Sequence, residues 1–357
     1  MKKELFNFII GFLIFIFFIF SFVSIKNDDS FFTKENVDYN IDFKYGENQN
    51  ILLNYDITVN PKDKEKVILE YYIPQSSYSQ EVIDNNIKII PTGPYDPSEY
   101  QNYYDHSIKK NKLGNKIGII EIKNTDFPVE INTNYLIKSK QVEDFKTGNK
   151  INESEYYDNW RNPSDFINSN SDKIGRVTKD VISNPDLPKI EKTKNIYHYL
   201  QNKYEGSFPS LNENAKISNF INQESGHCEN IAALYAALNR NSGIPSRVAI
   251  GTVGEGDYFL FHAWTEIFTE YGLIQADATY SNDSTYDFAT ISNEFVKIYH
   301  KEDSVKNYFL KDLPYNPNKI KHSDIAGRHY IIYYGWNNLE PEISQNISTE
   351  FVNKEEI

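Results

Sequence analysis

The chain is poor in cysteine. Cys228 is the only cysteine among its 357 residues. A single thiol excludes an intramolecular disulfide, a zinc site built from several thiolates and a redox cysteine pair, and there is no N-terminal cysteine to carry a lipid anchor. Cys228 is therefore either a small core residue without chemistry or a reactive group with a function of its own.

Positive charge is also scarce. Lys and Arg number 37 against 50 Asp and Glu, which gives a formal net charge of -13. This balance argues against binding to nucleic acid, because that function requires a basic face. Apart from His227 and His262, the histidines show no metal-ligand spacing, so the sequence predicts no metal and no other cofactor. These residues are His106, His198, His300, His322 and His329.

Long hydrophobic runs are absent except at the N-terminus. Residues 5–25 carry no charge, and 21 helical residues suffice to cross a hydrocarbon core of about 30 Å. Lys2 and Lys3 precede the run, so the positive-inside rule predicts a cytoplasmic N-terminus. We expect residues 1–26 to be a cytoplasmic stub and single-pass anchor in the cell membrane, with the rest outside. A cleaved signal peptide is the alternative, although its apolar region is normally shorter.

Residues 27–39 are a polar spacer, and residues 40–150 are typical of short strands. Polar and apolar residues alternate in several segments that are separated by Pro, Gly, Asn and Asp. The segments with this pattern are 40–45, 51–59, 66–73, 116–122 and 134–139. The pattern predicts an antiparallel β-sandwich-like domain. We interpret it as a support domain; a carbohydrate- or partner-binding module is the alternative.

The rest of the chain predicts a second, mixed domain, so the fold class is α+β. Residues 151–190 contain several prolines and are interpreted as a linker. Residues 191–335 form the second domain, which begins with a helix and ends with a strand at 328–336. That strand is expected either to close the sheet of this domain or to pair with the β-rich domain. Residues 336–357 are interpreted as a loose acidic tail.

Cys228 is predicted to lie at the start of a buried helix. Residues 229–240 are rich in Ala and Leu and contain no Gly or Pro, and Gly243 and Pro245 end the helix. The free amides and positive dipole of a first helical turn favour a thiolate, and the same amides can bind an oxyanion. His227 is expected to have a local structural role and to point away from the thiolate.

A thiolate nucleophile needs a base, and the base needs an orienting partner. His262 and Asp277 lie in two apolar segments that are joined by a turn at 269–272, which predicts a β-hairpin. The midpoint of the two residues falls at that turn, so they lie opposite each other or within a residue or two of it. Opposed side chains in a hairpin have Cβ atoms about 5 Å apart, which suits an imidazole–carboxylate hydrogen bond. Spacing alone does not predict that the Cys228 helix packs on this hairpin.

These segments together resemble the core of the transglutaminase-like superfamily, a group of cysteine enzymes related to papain. The motif covers roughly residues 190–282 and consists of Gly226-His-Cys228, Arg240-Asn-Ser-Gly-Ile-Pro-Ser-Arg247, His262-Ala-Trp264-Thr-Glu266 and Asp277. One departure is Ala278-Thr279, where relatives often have Pro or another small residue before Thr. The resemblance implies an antiparallel sheet with His and Asp, on which the helix with Cys packs.

The resemblance also implies roles for individual residues. Cys228 would be the nucleophile, His262 the general base and then acid, and Asp277 the group that orients His262. Gln223 is a candidate for a second oxyanion donor. Three further residues are expected to support the site: Trp264 and Glu266 on the same face as His262, and Arg247 as an ion-pair or hydrogen-bond partner.

The implied activity is extracytoplasmic, thiol-dependent acyl transfer on a peptide, cell-wall peptide or protein substrate. Water as the acceptor would make the protein a peptidase or amidase, and a lysine amine would make it a crosslinking transglutaminase. Hydrolysis is the favoured interpretation. A non-enzymatic surface binding module with an inactive fold is the alternative from another class. The sequence leaves the oligomeric state open.

Overall fold

Strands dominate the fold and helices cluster in its second half. The computed structural model describes residues 40–61, 67–93, 103–111, 114–123, 127–151, 160–206, 216–255, 258–279, 287–301, 320–321, 330–334 and 342–352. None of the helices in these ranges is long and apolar enough to span a bilayer. The predicted anchor at residues 5–25 lies outside the described residues.

The strands are numbered in chain order. They are β1 (Ile41–Asn60), β2 (Val67–Ile73), β3 (Gln80–Pro91), β4 (Tyr104–Lys110), β5 (Lys116–Ile122), β6 (Val129–Thr147), β7 (Glu205–Gly206), β8 (Ser225–Gly226), β9 (Ser246–Glu255), β10 (Tyr258–Thr269), β11 (Gly272–Ala276), β12 (Phe295–His300), β13 (Ile320–Lys321), β14 (Tyr330–Tyr334) and β15 (Glu342–Val352). The helices are α1 (Asp172–Val181), α2 (Lys189–Lys203), α3 (Ile217–Phe220) and α4 (Cys228–Asn241).

Two antiparallel sheets are built mainly from the first six strands. Their strand orders are β15-β1-β6-β3 and β13-β14-β2-β5-β4. Tyr71 of β2 and Tyr135 of β6 are both buried, so each of these two sheets has a side that is shielded from solvent. The alternating burial along the second half of β1 explains why the sequence pattern identifies it. β1 is one strand where the pattern predicts two, and β3 and β4 were not predicted.

The C-terminal segment differs from the sequence-based expectation. Residues 336–357 are expected to be loose, but Glu342–Val352 forms β15, which pairs antiparallel with β1 from Asn50 to Asn60. The expectation is wrong for this strand because the acidic composition of the segment does not show that the edge of β1 is available to pair with it. The strand predicted at 328–336 is present as β14, and it pairs with β2 of the β-rich region.

The third large sheet has the order β11-β10-β9-β12 and is antiparallel throughout. Helix α4 packs on it, and the Thr265 hydroxyl of β10 donates a hydrogen bond to the Ala232 carbonyl of α4 at 3.0 Å. Helix α4 is buried on nearly all sides and ends at Gly243, which has a φ of +79°. The predicted linker contains helix α1, which packs in the same core as α4.

The β-rich region covers the free edge of the third sheet through two side-chain amides. Gln80 donates from Nε2 to the Lys297 carbonyl at 2.9 Å and accepts from the Lys297 amide at 2.7 Å. Asn115 makes the equivalent pair with His300, at 2.8 and 2.7 Å. The two side-chain amides therefore make the hydrogen bonds to β12 that the backbone of a neighbouring strand would make. The sheet that contains His262 is therefore stabilised by the β-rich region as well as by the hydrogen bonds between its own strands.

Candidate active site

Cys228 is the first residue of α4 and is 8% exposed. The chain enters the helix through Gly226, where a Cβ atom would come within 2.3 Å of the Phe220 ring. Only glycine therefore fits this close approach, which places the thiol at the first turn of the helix. The predicted location of Cys228 at a helix start is confirmed, and the positive end of the helix dipole acts on its sulfur.

His262 and Asp277 form the hydrogen bond that the hairpin spacing predicts. The distance from His262 Nε2 to Asp277 Oδ2 is 2.5 Å. Thr265 pairs with Ala276, so continuing the register puts Asp277 two residues from the position opposite His262. The pair is thus diagonal, within the predicted range. The other carboxylate oxygen, Oδ1, accepts from the Thr279 amide at 2.9 Å, which fixes the rotation of the carboxylate.

Cys228 and His262 lie near enough to each other to interact. This interaction favours the thiolate of Cys228 and the protonated imidazole of His262. Exposed fractions of 6% for His262 and 3% for Asp277 show that the arrangement is largely shielded from solvent. The structure therefore places His262 against Asp277 as predicted, with Cys228 and His262 near enough to interact.

The surroundings favour a charged thiolate–imidazolium pair. Burial by itself raises the pKa of Cys228, but hydrogen bonds and charges from His227 and His262 outweigh it and lower the pKa to about 6. Burial likewise lowers the pKa of His262, but the charge and hydrogen bond of Asp277, with a further contribution from Cys228, raise it to about 10. Between these pH values the sulfur is deprotonated and the imidazole is protonated.

His227 also contacts the sulfur, which the sequence analysis missed. Its Nδ1 lies 3.5 Å from Cys228 Sγ, so the expectation that it points away from the thiolate is wrong. That expectation assumed helical geometry between neighbours, whereas His227 precedes the helix and has an extended backbone, with φ -67° and ψ 152°. The only sequence signal was the direct adjacency of the two residues.

A buried cluster of charged side chains surrounds Glu266, which lies on the same strand, β10, as His262. Glu266 accepts from Arg247 Nε and Lys297 Nζ, both at 2.7 Å, and from Gln275 Nε2 at 3.0 Å. The predicted role of Arg247 as an ion-pair partner is confirmed. Its guanidinium carbon also lies 4.9 Å from the centre of the Trp160 ring.

His300 completes this cluster as a neutral group. Its Nε2 lies 2.8 Å from Glu266 Oε2. Burial and the nearby Arg247 charge lower the pKa of His300 to about 4, even though Glu266 opposes the shift. The imidazole therefore lies beside the carboxylate as an uncharged group, and the full positive charges in the cluster come from Arg247 and Lys297.

Aromatic rings enclose the imidazole of His262. Phe295 presents its ring edge-on at 5.6 Å from the His262 centroid, and Trp264 lies at 6.3 Å in a nearly parallel orientation. Trp264 therefore packs beside His262, as expected. Gln223, the candidate oxyanion donor, is solvent-exposed in the loop after α3. Within the described ranges, no three or more His, Cys, Asp or Glu side chains are grouped so as to hold a metal ion.

Comparisons with known proteins identify a family that part of the chain resembles. The model of the transglutaminase-like superfamily matches residues 176–278, which include Cys228, His262 and Asp277. None of the curated proteins compared with the chain matches it.

One solved structure supports the fold, and a second shows a weaker similarity. A candidate cysteine protease from Cytophaga hutchinsonii superposes with a TM-score of 0.57 at 14% identity, covering 87% of this chain and 93% of the other. The periplasmic domain of TgpA from Pseudomonas aeruginosa matches at 15% identity, covering 64% of this chain and 90% of the other, with a TM-score of 0.33. Residues 176–278 of this chain thus resemble a transglutaminase-like core, as the family match indicates.

Proposed function

We propose that the protein is a thiol-dependent acyl-transfer enzyme that hydrolyses peptide or isopeptide amides. The observation that carries the proposal is the His262–Asp277 hydrogen bond together with the interaction between His262 and Cys228, which lies at the start of a buried helix. A core cysteine without chemistry needs neither a partner imidazole nor a carboxylate behind it. The resemblance of the core to cysteine acyltransferases agrees with this function.

The chemistry follows from the positions of the three groups. The thiolate of Cys228 attacks an amide carbonyl, and we infer that a backbone amide at the start of α4 receives the resulting oxyanion. Protonated His262 gives its proton to the leaving amine, the C–N bond breaks and a thioester remains. His262, now neutral, takes a proton from water as the water attacks the thioester. The acid leaves and the thiolate–imidazolium pair re-forms, while Asp277 holds the ring throughout.

We favour water over an amine as the acceptor because hydrolysis requires no second substrate site. The test uses casein with dimethylated lysines, oxygen-18-labelled water and a fluorescent primary amine, with Cys228→Ala as the matched control. We expect Cys228-dependent label in new peptide carboxylates and no fluorescent casein. Cys228-dependent amine incorporation would instead support a crosslinking transferase. Absence of both reactions, in a chain whose thiol is also unreactive, would favour the surface binding module.

We also propose that residues 5–25 anchor the chain in the cell membrane, with the catalytic core outside. Their length, their lack of charge and the lysines before them support this topology. Substrates would then be peptides or proteins of the cell envelope.

The topology has a direct test with a C-terminal tag on intact cells. The tag should be removed by added protease while a cytoplasmic marker stays intact, and the protein should remain in the membrane fraction after a carbonate wash. A tag that becomes accessible only after lysis would contradict this topology. Release of the whole protein into the medium would indicate the cleaved signal peptide instead.

A further inference from the structure

A second imidazole touches the sulfur of Cys228. His227 Nδ1 lies 3.5 Å and Nε2 3.9 Å from Sγ, so either ring nitrogen is within reach of the sulfur. We propose that His227 is a second catalytic histidine. It donates a hydrogen bond to the Cys228 thiolate and so keeps this thiol deprotonated in the resting enzyme. This inference rests on the proposed function, because it assigns a role around the same nucleophile.

The contacts of His227 suit this role. Its ring is half-buried, so the hydrogen bond to sulfur is only partly screened by solvent. In the part of the chain that the structure describes, no carboxylate lies within ion-pair distance of the ring. The nearest acidic neighbour along the chain, Glu229, is paired with Lys301. The imidazole is therefore directed to the thiolate and is not held by a competing anion.

Charges around the ring favour its protonated form. The hydrogen bond and negative charge of Cys228, together with the charge of Glu229, raise the pKa of His227 against the effects of burial and of the His262 charge. A protonated ring is the stronger donor to a thiolate. The positive charges of His227 and His262 thus repel each other weakly, but both stabilise the Cys228 thiolate.

A purely structural role for the His227 side chain is a poor explanation of its position. His227 is the N-cap of α4, yet its side chain makes no capping hydrogen bond. The capping contacts come from its backbone carbonyl, which accepts from the amides of Asn230 at 2.9 Å and Ile231 at 3.1 Å. Any residue retains these bonds, and its extended backbone is open to any residue. Removing the imidazole should therefore leave the start of the helix intact.

The two histidines differ in whether a carboxylate orients the imidazole ring. Asp277 orients His262 for proton transfer to the leaving amine, whereas His227 has no such partner among the described residues. The effect of His227 is therefore confined to the ionisation of Cys228. Loss of His227 should slow reactions at low pH, where thiolate is limiting, and should have little effect at a pH where the thiol is already ionised.

The test is the rate of iodoacetamide alkylation of the full chain in detergent, followed by intact mass from pH 5 to pH 10. Cys228 is the only thiol, so the added mass reports this residue alone. For His227→Ala we expect the midpoint of the rate profile to move up by about one pH unit, which makes alkylation about 8-fold slower near pH 5.5 and leaves it unchanged at pH 9. His227→Gln, which keeps an N–H donor, should recover part of the shift. His198→Ala, an exposed histidine of α2, is the matched control and should behave as the unsubstituted chain.

Each alternative result has a separate meaning. A His227→Ala profile that superposes on the unsubstituted one would overturn the inference and leave the proposed function standing. Slower alkylation at every pH, including pH 9, in a variant with unchanged melting temperature would also overturn it, because the effect would then not be on ionisation. If the unsubstituted chain itself titrates near 8.5 and no histidine variant changes it, the proposed function fails as well.

Discussion

Replacing His262 with alanine is expected to reduce Cys228-dependent hydrolysis by roughly 10⁴- to 10⁶-fold, the range found when one member of a cooperating triad is removed. The variant loses the group that protonates the leaving amine and activates water. It also loses one of the two imidazoles that lower the pKa of Cys228. The measurement is the initial rate of dimethylcasein cleavage at pH 7.5, compared with the unsubstituted chain and with Cys228→Ala.

Two further variants sharpen this prediction. Asp277→Asn keeps the shape of the side chain but removes the charge that holds the imidazolium, so hydrolysis should again fall by orders of magnitude. His198→Ala should have no effect. A His262→Ala variant that kept more than a tenth of the activity would show that another group is the general base, and His227 would be the first candidate.

Replacing Glu266 with glutamine is expected to lower the free energy of unfolding by about 3–5 kcal/mol, because it leaves Arg247 and Lys297 buried without their counter-charge. All three side chains are almost completely buried. Burial alone raises the pKa of Glu266, but the charges of Lys297 and Arg247 outweigh it and hold the pKa well below its ordinary value. The stabilisation is therefore fully present above the unfolded pKa near 4.5 and is lost only as the pH falls through the lowered folded pKa.

The measurement is urea unfolding followed by tryptophan fluorescence at pH 5 and pH 7.5. The deficit of Glu266→Gln should be similar at both pH values, since the carboxylate is ionised at both. Glu143→Gln is a matched control: Glu143 forms an exposed ion pair with Lys44 at 2.6 Å, and its loss should leave stability nearly unchanged. Equal unfolding midpoints for Glu266→Gln and Glu143→Gln would contradict the role given to the buried cluster.

The site was largely predictable from sequence where its geometry is local. The residues from Glu229 to Arg240 favour helix by composition, and Gly243 ends it, so Cys228 could be placed at the first turn. The pairing of His262 with Asp277 is likewise local, because a short turn fixes hairpin register within a residue or two. Packing of the helix on the hairpin joins distant segments and came only from the family resemblance.

Other features had no sequence signal of their own. The position of His227 over the sulfur depends on one extended residue before the helix, and adjacency alone does not report it. Gln80 and Asn115 make side-chain hydrogen bonds to the edge of β12, where a neighbouring strand would otherwise pair. Nothing in the sequence distinguishes an amide side chain with this role from any other. Strand β15 pairs with β1 across most of the chain length, and such long-range register lies beyond local patterning.

The most direct test of the central claim, that Cys228 is an activated nucleophile, is the pH profile of its alkylation in the unsubstituted full chain. We predict a rate that rises with a midpoint near pH 6, as expected for a thiol held as a thiolate by two imidazoles. The rate should then stay level through pH 9. A midpoint near 8.5, the value of an ordinary cysteine, would contradict the account.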